Sequence, residues 1–238
     1  MSQLPPARGR RKFVGLPPRF REGEVGLKRS PYYWWWEFLR RNDAYIKCCN
    51  ADGAGPLADL YRDFGDVRSD DFKKWWRTIG EHIFSEPPVP VSIQVVPDAA
   101  AAAQLDLRGC ILAVVPLTLD KRTLKRRFNE LLRKNHSGKR GGNRFAKSLA
   151  HHPLASKPVV RALELTLRVY DLNVQNSEWK LWQIGQEAKV SKEYKVDPSV
   201  PTWRTRADRK MLAIYTSRFL KHAKAYIKNA GKGVFPKK

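Results

Sequence analysis

The residues best suited to chemistry form an acidic cluster in the stretch DFGDVRSDD, with carboxylates at Asp63, Asp66, Asp70 and Asp71. Such clusters can hold magnesium in nucleases, so a metal-dependent nuclease is one hypothesis. The same residues also serve as turn residues and helix caps. Because no histidine or lysine stands in register with them, we favour the structural role and predict no catalytic residues.

Histidines and cysteines show no metal-binding pattern. His151 and His152 are adjacent, so we expect their side chains to point in different directions. The sequence contains no Cys-x-x-Cys or His-x-x-x-His pair, which zinc sites commonly use. Cys48, Cys49 and Cys110 are odd in number, which predicts reduced thiols in a cytoplasmic protein. We therefore predict no metal, no cofactor and no enzymatic activity.

Charge is the dominant property of the chain. It has 46 Lys and Arg against 23 Asp and Glu, a net charge of +23. The net charge is +6 over residues 1–30, −3 over 31–109 and +20 over 110–238. Such an excess predicts a polyanionic partner, namely nucleic acid, with DNA favoured over RNA. No apolar run reaches the ~18 residues that a membrane span needs, so no membrane partner is expected.

The aromatic run SPYYWWWEFLRRN lies in the acidic part of the chain. A platform that stacks on bases normally lies in a positive groove, so this location favours a core role. The run continues into a helical pattern with two apolar stripes, which predicts a helix packed on two sides. The stripes are Tyr32, Trp36, Leu39 and Ile46, and Trp34, Phe38 and Tyr45. A second aromatic helix is predicted in SDDFKKWWRTIGEHIF, capped by Ser69 or Asp70.

Three segments follow from these patterns. Residues 1–30 are predicted to be a basic flexible arm, whose Arg10, Arg11 and Lys12 would wrap a duplex or enter its minor groove. Residues 31–86 form an acidic, Trp-rich helical module, which could also dock a partner or self-associate. Residues 91–238 form a strongly basic helical module with a short β element at 91–116, so the predicted class is mainly α with a small β element (α+β).

A basic helix is predicted at 120–135, with a buried apolar stripe of Leu124, Phe128, Leu131 and Leu132. On its opposite side are Arg122, Arg126 and Arg133. The glycine-rich loop that follows carries Lys139, Arg140 and Arg144. A basic helix that leads into a basic loop favours contact with phosphates.

The C-terminal part resembles a helix-turn-helix unit. WQIGQEAKVS is similar to its second helix, and YTSRFLKHAKAYI is similar to a recognition helix. About fourteen residues separate them, where the motif normally has a turn of 3–4, so either the unit carries an insertion or the motif is a different one. The predicted nucleic-acid contacts of the final helix are Arg206, Lys210, Ser217, Arg218, Lys221, Lys224 and Lys228.

SPYYWWWEFLRRN and DFGDVRSDDFKKWW near the start, with TSRFLKHAKAYIKNAGKGVFP at the end, resemble a family encoded by prophages and integrative mobile elements. The resemblance implies a bacterial, cytoplasmic setting and no particular activity. Our leading hypothesis is a non-catalytic DNA-binding protein, a regulator or accessory factor of a mobile element. The alternatives are an RNA-binding subunit of a larger ribonucleoprotein and the metal-dependent nuclease.

Overall fold

The chain is mainly helical, as predicted. The computed structural model describes residues 11–87, 95–104, 110–136, 145, 148–197 and 199–238. A 3-10 turn at Phe20–Glu22 precedes the α-helices, and a π-helical turn at Trp76–Gly80 joins α5 to α6. The α-helices are α1 (Gly23–Lys28), α2 (Pro31–Leu39), α3 (Asp43–Asn50), α4 (Ala58–Phe64), α5 (Phe72–Trp75), α6 (Glu81–Phe84), α7 (Ala99–Ala103), α8 (Lys121–Asn135), α9 (Val160–Gln175), α10 (Leu181–Ala188) and α11 (Arg206–Ala230). None of these helices combines the length and apolar character needed to cross a bilayer.

The predicted β element is not found in the described residues. They contain one isolated parallel bridge, between Leu154 and Phe235, and no strand. The apolar run at 110–115 is non-helical and leaves Ile111 and Val114 exposed. A strand needs a paired neighbour and a face to bury, and this run has neither among the described residues. Part of its predicted partner at 91–96 lies outside them.

The aromatic run forms part of the core, as predicted. Trp35, Trp36 and Phe38 on α2 are at most 1% exposed. The predicted stripes do not continue in one helix, because α2 ends at Leu39. A new helix begins where the Asn42 side chain accepts a hydrogen bond from the Tyr45 N–H at 3.0 Å. Because a new helix starts at this cap, Tyr45 and Ile46 do not continue the helical periodicity of the apolar residues on α2.

The second aromatic helix is present but has a different cap. Its N-cap is Asp71, whose carboxylate accepts a hydrogen bond from the Lys74 N–H at 2.9 Å. The Trp75 indole donates to the Phe64 carbonyl at 2.7 Å, which fixes α5 against α4. Across 31–86 no large apolar side chain is exposed. Most aromatic side chains of this segment are therefore buried in the fold, and Tyr33 and Tyr61 are half-buried.

One hydrophobic core joins the acidic segment to the basic one. Trp35 lies 5.5 Å from Phe235, and Phe38 lies 5.5 Å from Tyr226, between ring centroids. Leu163 on α9 belongs to the same core. Because Phe235 follows α11 near the end of the sequence, the aromatic helices are covered by the C-terminal segment.

The predicted arm is folded from residue 11 onward. The Phe13 ring packs against Tyr32 and Trp76, with centroids 6.0 and 5.6 Å apart. The Gly15 N–H donates to the Tyr32 hydroxyl at 3.0 Å. Residues 11–30 are thus attached to the aromatic helices and include α1. Residues 1–10 lie outside the described part.

The last three helices pack against one another, but the tight turn of a helix-turn-helix is not present. Residues 189–205 connect α10 to α11. The Gln186 side chain holds this connection on α10: its Oε1 accepts from the Val196 N–H at 2.7 Å, and its Nε2 donates to the Val196 carbonyl at 2.9 Å. The described part of the connection, which leaves out residue 198, is therefore fixed to α10 at Val196.

Candidate functional site

The predicted contacts on α11 form a continuous exposed stripe. Arg206, Lys210, Ser217, Lys221, Lys224 and Lys228 follow one another at intervals of four, seven, four, three and four residues. These intervals keep the side chains on one face of a helix. All six are exposed. We call this row the α11 stripe; at 1.5 Å per residue it is about 33 Å long.

The opposite face of α11 holds the helix in the protein. Leu212, Thr216, Ala223 and Ala230 are buried there, each at most 1% exposed. The Thr216 hydroxyl donates to the Leu212 carbonyl at 2.8 Å within the helix. This buried hydroxyl therefore has a hydrogen-bond partner. A helix with one firmly buried face presents its stripe in a fixed direction.

The positive charge of the α11 stripe is not neutralised nearby. Among the described residues, none of its five cations forms an ion pair with a carboxylate, and neither does the adjacent, exposed Arg218. The acidic segment differs, because there Arg41 pairs with both Glu37 and Asp171. The α11 stripe is therefore a row of cations with no carboxylate partner in the described part of the chain.

Helix α8 also presents arginines that form no ion pair with any carboxylate in the described part of the chain. Arg122, Arg126 and Arg133 are exposed and line one shallow depression on its surface. Asp120 caps the helix by accepting from the Thr123 N–H at 2.9 Å, which matches the predicted start.

The apolar stripe of α8 is not buried, and this prediction is wrong. Phe128 is 42% exposed and Leu132 is 38% exposed, and no residue of the helix is buried. Leu124 and Leu131 are half-buried. An amphipathic pattern shows which face a helix would bury, but burial also requires a neighbouring element, and the described residues do not bury this face.

The other predicted contacts have mixed outcomes. Arg10, Lys139, Arg140 and Arg144 lie outside the described residues. Arg11 lies beside the Glu81 carboxylate at 3.8 Å and donates to the Ser85 hydroxyl at 3.5 Å, so its charge is partly neutralised. The Lys12 side chain is exposed, while its carbonyl accepts from the Glu86 N–H at 2.8 Å.

Trp203 was missed by the sequence interpretation. It is 71% exposed and lies in the turn just before α11, and the Arg204 guanidinium is 4.9 Å from its ring centroid. An aromatic ring beside cations is the arrangement used to stack on bases. Trp34, Trp35 and Trp36 were excluded as a base-stacking platform because their segment is acidic. The same criterion favours a stacking role for Trp203, since Arg204 and Arg206 are its neighbours.

The acidic cluster does not converge on one point. Asp66 forms an ion pair with Arg68 at 2.7 Å, and Asp70 contacts Arg40. Asp71 is the helix cap described above. Asp71 therefore has the capping role that the sequence favoured, Asp66 also accepts from the Arg68 N–H at 2.8 Å in a turn, and Asp70 forms an ion pair instead of a cap. Asp63 stands apart from these three.

Asp63 instead meets both adjacent histidines. Its Oδ2 lies 3.0 Å from the His151 Nε2 and 2.9 Å from the His152 Nε2. The expectation that these histidines diverge is wrong, because the chain bends at 150–152 and forms neither helix nor strand. The His152 N–H donates to the Ile83 carbonyl at 2.9 Å, which fixes the bend. Within the described residues this is the group able to hold a metal ion.

Burial and hydrogen bonding act in opposite directions on this cluster. Burial alone would raise the pKa of Asp63, but the hydrogen bonds from His152 and His151 outweigh it and the pKa is lowered. Burial lowers the pKa of His152 despite the neighbouring carboxylate. The His152 ring packs edge-on against Phe64, with centroids 4.6 Å apart.

Comparisons of the chain with protein-family models, with curated proteins and with solved structures give no match. The functional conclusions therefore depend on the geometry and charge described above.

Proposed function

We propose that this protein binds nucleic acid without catalysis, with duplex DNA as the preferred partner, through the α11 stripe. The observation that carries the proposal is the unpaired, one-sided row of cations from Arg206 to Lys228. Neutralising DNA phosphates with such a row releases condensed counterions, which supplies most of the free energy of non-specific binding. The exposed arginines of α8 would add contacts to the same polyanion.

The length of the stripe favours backbone contacts over base reading. About 33 Å is close to one turn of B-DNA, ~34 Å. A straight helix of this length cannot follow the groove throughout, so most of its cations would meet phosphates. Ser217, Arg218 and Lys221 lie near the middle, where base edges would be within reach. We therefore expect strong salt dependence with modest sequence preference.

A helix-turn-helix-like use of α10 and α11, and a role as a regulator or accessory factor of a mobile element, belong to the same proposal. What supports the first is that α10 packs directly on α11 and leaves the stripe outward. The connection at 189–205, which includes Trp203, would lie next to the N-terminal end of the recognition helix.

The test is a fluorescence-anisotropy titration against a random duplex DNA, the matching single strand and a duplex RNA over a salt series. A triple variant, Lys210/Lys221/Lys224→Ala, is compared with Lys47/Lys73/Lys74→Ala, which removes the same charge from exposed positions of the acidic segment. We expect the first variant to reduce the slope of log K against log salt by up to about 3, near 0.9 per lost phosphate contact. The control should retain the wild-type slope.

Two results would overturn the proposal. Equal loss in both variants would mean that net charge alone causes binding, and an absence of binding to all three probes would exclude a nucleic-acid partner. Tighter binding of duplex RNA than of duplex DNA would instead support the RNA-binding alternative.

A further inference from the structure

We propose that Asp63, His151 and His152 bind a divalent transition-metal ion of the zinc class, leaving a coordination position open to solvent. This site goes beyond nucleic-acid binding and does not depend on it. Its ligands come from the last turn of α4 and from the bend before α9.

The spacing of the ligand atoms fits one ion. All three atoms lie within 4.8 Å of one another, and the two distances to the Asp63 Oδ2 are 3.0 and 2.9 Å. Metal–ligand bonds of about 2.0–2.1 Å place neighbouring ligand atoms about 2.9 Å apart in octahedral geometry and about 3.3 Å apart in tetrahedral geometry. Small side-chain movements would therefore accommodate the ion.

The orientation of His152 is a second geometric indication. Its Nε2 faces the Asp63 Oδ2 at 2.9 Å. The other side of the ring lies against Gly233, where a Cβ would be 3.2 Å from Cε1 and 3.3 Å from Nδ1 of His152. The ring is therefore enclosed with Nε2 directed at the carboxylate.

The atoms that would bind the ion already face one another. The Asp63 Oδ2 is 2.9 Å from the His152 Nε2 and 3.0 Å from the His151 Nε2. A metal ion bound here would replace the protons of these hydrogen bonds. In metal sites a ligating histidine is typically oriented by residues that do not bind the metal themselves, and the Phe64 ring, 4.6 Å from the His152 ring between centroids, has that position.

The cluster is rigid on one side and open on the other. His152 is 13% exposed and is held by its N–H hydrogen bond to the Ile83 carbonyl and by its ring contact with Phe64, whereas His151 is 62% exposed. Three protein ligands with an open position are the arrangement of catalytic rather than structural zinc sites. Two imidazoles with one carboxylate suit zinc, iron or cobalt, while magnesium and calcium prefer oxygen ligands.

The experiment uses the full chain without a polyhistidine tag, stripped with a chelator and titrated with Zn²⁺ or Mg²⁺ by calorimetry. His151→Ala is the main variant, because an exposed side chain can be removed without emptying the core. Asp63→Asn keeps the size of the side chain and removes its charge. The matched controls are His82→Ala and Asp59→Asn; both residues are exposed, and Asp59 lies on the same helix as Asp63.

We expect one equivalent of Zn²⁺ to bind the wild type and the controls, with at least about tenfold weaker binding to His151→Ala and Asp63→Asn. Zn²⁺ should raise the Tm of the wild type by several degrees and leave that of the two site variants unchanged. Bound Co²⁺ should show visible absorption bands that His151→Ala abolishes.

Wild-type affinity in His151→Ala, or Mg²⁺ binding as tightly as Zn²⁺, would overturn the proposal. So would an absence of Zn²⁺ binding, since the cluster would then be a hydrogen-bonded histidine–carboxylate group. Each of these outcomes leaves the nucleic-acid titration unaffected when it is performed in chelator, so the two proposals can fail separately.

Discussion

At the scale of single residues, the surroundings of a tryptophan decide what it can do. Trp35 and Trp36 have the same side chain as Trp203, yet they are almost fully buried and Trp203 is 71% exposed. The first two lie among other rings in an acidic segment, where they stabilise the fold by removing large apolar areas from water. Trp203 lies beside Arg204, where a base could stack on it.

We predict that Trp203→Ala weakens binding to single-stranded nucleic acid by about 1–3 kcal/mol, the value of one base–aromatic stack. Duplex binding should change less, because paired bases are not free to stack on the ring. Anisotropy with both probes measures the difference. Trp203→Phe should retain most of the affinity, and equal weakening on both probes would contradict a stacking role.

Thiol reactivity should separate the three cysteines. Cys48 and Cys49 are at most 4% exposed, and burial raises the pKa of Cys49, which keeps it in the unreactive thiol form. We predict that Cys110, which is half-buried, is the thiol that reacts with Ellman's reagent in the native protein. Denaturant should release all three, and Cys110→Ser should abolish the native reaction. Rapid labelling of two or more thiols would show that the α3 region opens.

At the scale of elements, the direction of the α11 stripe depends on how α10 meets α11. Gly185 lies where the helices approach most closely, and a Cβ there would be 2.2 Å from the Thr216 Oγ1 and 3.1 Å from the Leu212 carbonyl oxygen. Only glycine permits this approach. Arg41 performs a similar task between α2 and α9, through two hydrogen bonds to Asp171 at 2.6 and 2.7 Å.

We predict that Gly185→Ala destabilises the protein. Alanine improves helix propensity by about 1 kcal/mol, but overlap in a packed interface costs about 1–3 kcal/mol, and a 2.2 Å contact belongs at the upper end. The expected net loss is about 1–2 kcal/mol in urea unfolding. Adding Thr216→Ala should recover part of it by removing the nearest atom. No recovery would mean that the interface is not as close as described.

At the scale of the whole molecule, the acidic segment and the C-terminal basic helices share one hydrophobic core, although their net charges have opposite signs. In the acidic segment Arg40, Arg41, Arg62 and Arg68 pair with carboxylates, whereas the cations of the α11 stripe form no ion pair among the described residues. Phe235 is fully buried between Trp35, Phe38 and Tyr226. The short C-terminal segment therefore packs against the aromatic helices and α11 at once, and its Gly233 lies beside the His152 ring.

We predict that Phe235→Ala lowers the free energy of unfolding by about 3–5 kcal/mol, the usual cost of removing a buried phenylalanine. Thermal unfolding followed by tryptophan fluorescence would measure it, since Trp35 would lose a packed neighbour. Lys237→Ala, two residues away and exposed, should have little effect. A loss below about 1 kcal/mol would show that Phe235 does not fill the shared core as described.

The sequence by itself determined the helical class, the core role of the aromatic run and the exposed stripe of α11. Each follows from the local periodicity of apolar residues or from local charge, and these properties of the sequence do not depend on how the chain folds. Helix α8 shows the limit of that reasoning, because its apolar stripe has the right pattern and still remains unburied.

Only the tertiary structure decided the Asp63–His151–His152 cluster. Asp63 and His152 are 89 residues apart in sequence, and no spacing rule connects them. The two histidines converge because the backbone bends at 150–152, where hydrogen bonds from distant segments fix it. The direction of a side chain outside regular structure depends on such long-range contacts, and periodicity carries no information about them.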